Sequence, residues 1–446
     1  MHHDHVQRPR RKILVVVGTR PEAIKMAPLA RAMADSHLVQ PYIVATGQHP
    51  GIVDVVFERV GLTVDADLGA GRPGLTLNEL FAHILTGFQQ FFFEEFGLLE
   101  DRPADRDYRR FPVACLVHGD TTSAAAVALA AFHLGLPVAH VEAGLRTGDI
   151  RSPFPEESNR AMISRLAFFH LAPTSTNQEN LIRENVPSER IFVAGNTAID
   201  ALQDAADMEG SYGVAELDQL EADPAVPVVV VTAHRRENWG GGLERIGAAI
   251  AELAHRFETV KFVLPLHPNP AVASILRSKL DDLPNVIMVA SLAYVPFARL
   301  LKRACLVITD SGGIQEEAPA VGTPVLVLRE STERQEGVDA GTLKLVGTNV
   351  QRIVAEASAL LGSATAREAM TSRENPYGDG HASERIVAAF EHIAYGTAAP
   401  APYGAGFSRQ ALRRLGGWDE VRQSDDIAAD VEGESSEAVV TKTLQQ

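Results

Sequence analysis

Short runs of β-branched and aliphatic residues alternate with stretches whose apolar positions recur at helical spacing. Lys12–Val17, Tyr42–Thr46, Val113–Val117, Val138–Val141 and Phe168–Leu171 read as strands, and Pro21–Ala34, Thr121–Leu134 and Glu157–Leu166 as helices between them. This is the grammar of an open parallel sheet covered by helices on both faces. The texture changes near residue 210 and stays acidic and proline-containing to Pro227. The alternation then restarts with Val228–Thr232, Lys261–Leu264, Val286–Val289, Leu306–Thr309 and Pro324–Leu328. The expected architecture is therefore α/β, with two doubly wound Rossmann-like domains at 12–205 and 226–375 facing a central cleft. A last helix, Ala382–Ile393 within 380–396, is expected to return to the first domain. Residues 1–11 and 397–446 lack periodicity and read as disordered tails, and 100–110 as a solvated charged loop.

At 446 residues the chain is long enough for two packed cores. Its net charge of −16 argues against a nucleic-acid surface. No apolar run is long enough for a membrane span, and Ile13–Val17 is too short for the apolar segment of a signal peptide. The two cysteines, Cys115 and Cys305, lie in apolar runs and suit a reducing compartment. The histidines at the start read as part of a tail. Taken together, these features point to a cytoplasmic location.

In doubly wound sheets, ligands bind beyond the carboxyl ends of the strands. Polar and glycine residues follow the expected strands with unusual regularity: Gly-Thr-Arg-Pro-Glu from Gly18, His-Gly-Asp-Thr-Thr from His118, Glu-Ala-Gly-Leu-Arg from Glu142, Ala-His-Arg-Arg-Glu-Asn from Ala233 and Asp-Ser-Gly-Gly from Asp310. The dinucleotide fingerprint is absent after the first strand, which weakens a nicotinamide or flavin reading; no cofactor is expected. Arg20 sits at a helix start, where the macrodipole disfavours cations unless an anion is held there, and Lys25 is one to two turns further on. Ser311, Gly312 and Gly313 open a helix in the manner of a phosphate site, and the carboxylates Glu316 and Glu317 follow at ribose distance. His118, Asp120, His140 and Glu142 suit either acid/base chemistry or, by ligand type alone, a metal. Glu156 and Glu157 open a helix after Pro155, where acidic charge is itself favourable.

Eight stretches resemble the non-hydrolysing UDP-N-acetylglucosamine 2-epimerases over roughly residues 12–395: 18–28, Thr-Gly-Gln-His at 46–49, 118–122, 140–148, Pro-Phe-Pro-Glu-Glu-Ser-Asn-Arg at 153–160, 233–238, Asp-Ser-Gly-Gly-Ile-Gln-Glu-Glu-Ala-Pro at 310–319, and Thr-Glu-Arg at 332–334. The resemblance implies the two-domain GT-B fold and reversible epimerisation at carbon 2 of UDP-N-acetylglucosamine, giving UDP-N-acetylmannosamine through loss and return of UDP. It implies a homodimer in polysaccharide biosynthesis. By the same resemblance Asp120, Glu142, Glu156 and His234 are catalytic. Arg20, Lys25, Phe297, Ser311, Gly312, Gly313, Glu317 and Arg334 bind substrate, with Phe297 on the uracil and Glu317 on the ribose. Gln48 and His49 match a segment that helps bind a second UDP-sugar as activator. Leu292 departs from the pattern, standing where some members carry glutamine. Two other readings share these residues: a hydrolysing epimerase that releases free N-acetylmannosamine, and a nucleotide-sugar-binding regulator without catalysis.

Overall fold

The computed structural model describes residues 10–97 and 111–404. The early histidines, the 100–110 charged loop and the tail beyond 404 lie outside them. Seven strands form the first sheet: β1 (Arg11–Val17), β2 (Val39–Ala45), β3 (Ala66–Asp67), β4 (Ala114–His118), β5 (Val138–Val141), β6 (Phe169–Ala172) and β7 (Ile191–Val193). Six form the second: β8 (Val228–Thr232), β9 (Lys261–Leu266), β10 (Val286–Ala290), β11 (Leu306–Thr309), β12 (Val325–Val327) and β13 (Leu343–Leu345). The orders are β3-β2-β1-β4-β5-β6-β7 and β10-β9-β8-β11-β12-β13, and the pairings are parallel. The two sheets belong to one compact unit that runs to Tyr403. They are doubly wound α/β sheets, as the alternation required.

Period-two burial builds the cores. Ile13, Val15 and Val17 of β1 pack with Met26, Leu29 and Met33 of the helix Arg20–Asp35. Leu14 and Val16 face the other way, onto Phe88 and Phe92 of the helix Leu77–Phe96 and the alanine-rich helix Thr122–His133. The second sheet repeats the scheme, with Val229 and Val231 on one face and Val228 and Val230 on the other. The helix Ala382–Tyr395 does return to the first sheet: Ile386, Val387 and Phe390 join the cluster around Ile13 and Val15.

Two tail boundaries need correction, and the acidic stretch around 205–226 between the two domains is structured. It holds the helix Ala215–Ala222, whose Leu217 and Leu220 are buried against the second sheet beneath an acidic outer face. The tail read from 397 does not begin there, because Tyr403 is buried, donates its N–H to the Val193 carbonyl at 2.8 Å and its hydroxyl to the Asn375 carbonyl. At the other end Arg11 opens β1, and Arg10 donates to the Val39, Met33 and Ala34 carbonyls.

Candidate active site

Strand order reverses between β1 and β4 in one sheet and between β8 and β11 in the other. These are the switch points where a doubly wound sheet opens a crevice. Most of the candidate residues follow the carboxyl ends of those four strands and of β5; Gln48 and His49 follow β2, Phe297 follows β10 and Arg334 follows β12.

On the first sheet the loops are tied together. Glu22, fully buried, accepts from the Gly18 and Thr19 amides at 3.1 and 2.7 Å, and Thr121 donates its hydroxyl to it at 2.7 Å. A side chain on Gly18 has no room: its Cβ would lie 2.1 Å from Ser123 Oγ. This packing fixes the helix Arg20–Asp35 relative to the 118–122 loop. It brings Lys25 Nζ to 2.6 Å from Glu142 Oε2, while His118 Nε2 lies 3.6 Å from the same oxygen. Glu142 follows β5 with a φ of 64°, a left-handed conformation that costs energy for a non-glycine residue. Burial pushes its carboxyl up, but the Lys25 charge prevails and holds it at about 2. Burial depresses His118 to about 4 and His140 to about 3. His140 Nε2 bonds the Gly119 carbonyl at 2.7 Å, so it supports the loop from behind.

Asp120 belongs to a second cluster. Arg160 Nη2 lies 2.5 Å from Asp120 Oδ2 and its Nη1 2.9 Å from Glu157 Oε2, and Asn159 donates to the Asp120 carbonyl at 2.8 Å. Burial outweighs the Arg160 charge and raises the Asp120 pKa. Glu156 Oε2 is buried without a hydrogen-bond partner. Among the described residues no three His, Cys, Asp or Glu side chains are grouped as metal ligands would be.

On the second sheet Asp310 is not a helix cap. It is fully buried and accepts from the His234 and Arg235 amides and from Asn238 Nδ2, organising the 233–238 loop. The His234 ring stacks on His267 with centroids 5.9 Å apart. Burial pushes the His234 pKa down despite the nearby Asp310 carboxylate. The helix Gly312–Ala320 starts at Ser311, whose side chain makes no cap hydrogen bond. A Cβ on Gly312 would sit 3.0 Å from Arg334 Nη1 and 3.2 Å from Arg235 Nη2, so two guanidinium groups converge on a helix N-terminus. Arg334 is held by Glu316 at 2.9 Å and Glu333 at 2.5 Å. Burial, together with the neighbouring Glu316, pushes Glu317 up to about 7.

A cavity of about 150 Å³ joins the two sides; Lys25, Glu142, Arg146 and Asn196 line it from the first, and Gly313, Glu316, Glu317 and Arg334 from the second. Arg20 stands apart from this cavity. It is exposed and lines a neighbouring apolar one with Ile24, Pro28, Val56, Tyr294 and Val295. Phe297, in the first turn of the helix Tyr294–Arg303, packs partly buried against the second core beside Leu292. Gln48 accepts from Ser123 Oγ at 2.6 Å, which ties it to the helix that follows Asp120, and His49 is exposed. Sequence reasoning did not single out Arg160, Asn196 or Tyr377. Arg160 had a visible signal, three residues after Glu157 on one helical face; Asn196 and Tyr377 had none.

A family model described as UDP-N-acetylglucosamine 2-epimerase matches residues 31–391. A UDP-N-acetylglucosamine 2-epimerase of Yersinia pestis is 46% identical over 385 residues, covering 85% of this chain and 98% of that protein. The crystal structure of a putative UDP-N-acetylglucosamine 2-epimerase from Listeria monocytogenes superposes with a TM-score of 0.80 at 38% identity, covering 88% of this chain and 99% of the other. The Neisseria meningitidis UDP-GlcNAc 2-epimerase bound to UDP-GlcNAc gives 0.69 at 40% identity, covering 84% and 98%. A Rickettsia africae glycosyltransferase, 12% identical with a TM-score of 0.56 and coverage of 87% and 100%, shares the fold alone.

Proposed function

The chain belongs to the UDP-N-acetylglucosamine 2-epimerase family, and on that premise we propose that it interconverts UDP-N-acetylglucosamine and UDP-N-acetylmannosamine without hydrolysing them. The observation that carries the proposal is the cavity in which the Lys25–Glu142 pair faces Gly313, Glu317 and Arg334. The first side offers the Glu142 carboxylate with Lys25 and Arg146 to a sugar, and the second offers Arg334, a helix N-terminus and the Glu317 carboxylate to a nucleoside diphosphate and its ribose.

The proton on sugar carbon 2 has no adjacent carbonyl and resists direct removal. Cleavage of the carbon 1–oxygen bond first places positive charge on the ring and acidifies that proton. Its loss gives 2-acetamidoglucal and UDP; protonation from the other face and return of UDP complete the inversion. Arg334, Arg235, His234 and the amides of Gly312 and Gly313 stabilise charge gathering on the departing diphosphate. Glu142, held ionised, faces the cationic ring. Asp120 and Glu156 are the proposed proton donor and acceptor, and the raised proton affinity of Asp120 and the unpartnered buried oxygen of Glu156 support those roles. Residues 12–205 with 380–396 form one domain and 226–375 the other, the active form is a homodimer, and the enzyme works in the cytoplasm. The two free cysteines support a reducing location, and no helix among the described residues is long and apolar enough to cross a membrane.

The test is incubation of the purified protein with UDP-N-acetylglucosamine in deuterated water, without added metal or nicotinamide. Both UDP-sugars should reach equilibrium with deuterium at carbon 2 and their total unchanged. Retention of the original hydrogen sinks the elimination route; accumulation of free N-acetylmannosamine would instead mark hydrolysis.

A further inference from the structure

Glu316 bridges the two halves of the molecule. Its Oε1 accepts from Arg334 Nε at 2.9 Å and its Oε2 accepts from Asn196 Nδ2, also at 2.9 Å. Asn196 lies in the first half, between β7 and the helix Thr197–Asp207, while Glu316 lies on the helix that begins at Gly312. The same place is braced through the chain's return segment: the Asn196 amide donates to the Tyr377 carbonyl at 2.8 Å, and Asn375 Nδ2 donates to the Glu316 carbonyl at 3.1 Å. Side-chain exposures of 13% for Glu316 and 18% for Arg334 leave both groups dependent on these partners rather than on water.

Glu333 anchors Arg334 Nη1 within the second half at 2.5 Å; we propose that Asn196 and Glu316 form an interdomain latch on its Nε, which orients Arg334 over the Gly312 helix start when the two halves are together. Both are positioning residues and act through Arg334. The inference rests on the proposed epimerase reading, because its consequence concerns a reaction that passes through two separate molecules. UDP and the neutral glycal must stay side by side until they recombine, and nothing covalent retains either one. A site that opens before UDP returns loses both. The latch sets how often that happens, and it couples the grip on the diphosphate to closure.

Asn196 also caps its helix, with Oδ1 accepting from the Ala198 amide at 3.0 Å, so a test must spare that bond. Asn196→Asp keeps the cap oxygen but turns the donor toward Glu316 into a like charge, and Asn196→Ser keeps a capping oxygen without the reach. In both, free UDP and 2-acetamidoglucal released per epimerisation should rise on the order of tenfold, the scale for one lost hydrogen bond to a charged group. UDP affinity by calorimetry should weaken by a similar factor. In the double variant Asn196→Asp/Glu316→Gln the carboxylate and the amide exchange places: the new amide donates across the interface while its oxygen still accepts from Arg334. Escape and affinity should return to within about threefold of wild type.

Unchanged escape and affinity in the folded single variants, or a double variant no better than Asn196→Asp, overturns the latch. A wild-type protein that epimerises nothing overturns the activity instead, and the latch is then still judged by UDP affinity in the same variants.

Discussion

Glu142 is drawn two ways: burial favours its neutral form, and Lys25 at 2.6 Å favours the carboxylate and prevails. Replacing Lys25 with Met removes that counter-charge at nearly constant shape. The Glu142 pKa should then rise, and the acid limb of the kcat/KM profile should move to higher pH. An acid limb that stays in place would show that Glu142 does not need its charge. Asp120→Asn and Glu142→Gln should each lower turnover by roughly a hundredfold or more, the scale of acid/base groups; wild-type turnover in both would remove those roles. The buried histidines give a separate signature. His118, His140 and His170 are depressed to about 4, 3 and 4. Between their unfolded value near 6.5 and those folded values, the unfolded chain binds more protons, so stability falls with decreasing pH by up to roughly 1.4 kcal/mol per unit per histidine. Urea midpoints at pH 7 and pH 5 should differ in that direction, with little further loss from these groups below pH 3. At this scale the sequence showed which residue types follow each strand, but not who meets whom. Lys25 and Glu142 meet across 117 residues and Asn196 and Glu316 across 120, and no local spacing encodes that. The resemblance made Arg20 and Lys25 a basic pair, yet only Lys25 lines the cavity with Glu142.

The elements were legible where a run of residues was long enough to show its period. β5, β8 and β11 fall on the expected residues, and β1 and β4 within one residue at each end. β3, β7 and β13 span only two or three residues, too few for alternation to be seen, and they exist because a neighbouring strand offers hydrogen bonds. The helix Ala215–Ala222 was hidden by its acidic exposed side. Two glycines separate the structural from the functional demand on a loop. Gly18→Ala would place Cβ 2.5 Å from Ser123 Cβ, beside a helix that cannot retreat, and should destabilise the protein by about 1–3 kcal/mol. The atoms nearest a Cβ on Gly312 are the ends of the Arg334 and Arg235 side chains, which can swing aside. Gly312→Ala should leave the denaturation midpoint nearly unchanged while raising the KM for the UDP-sugar about tenfold. An unchanged KM in Gly312→Ala would deny the Gly312 helix start a role in binding.

At the scale of the molecule the two sheets are not successive beads on the chain. The first sheet's core is completed by residues that follow the second sheet: Phe390 is 5% exposed, lies in the cluster with Ile13 and Val15, and meets Phe169 with centroids 6.1 Å apart. Glu391, beside it, accepts from Ser36 Oγ at 2.6 Å across 355 residues. The periodicity of 382–393 marked a helix, and its apolar stripe required a partner, but the choice of sheet is set by the return segment, which the Asn196 amide fastens through Tyr377. The helix Ala382–Tyr395 thus reports on the stability of the first strands. Phe390→Ala removes a buried ring from the first core and should cost about 3–5 kcal/mol, although the residue lies 197 positions past Val193, where the last strand of that sheet ends. The measurement is hydrogen exchange by mass spectrometry: protection should fall in β1 and β2 while β8 and β9, whose core contains no residue of the last helix, keep theirs. Loss of protection confined to 382–395 would mean that the helix merely rests on the sheet, and equal loss in both sheets would mean that they unfold as one cooperative body.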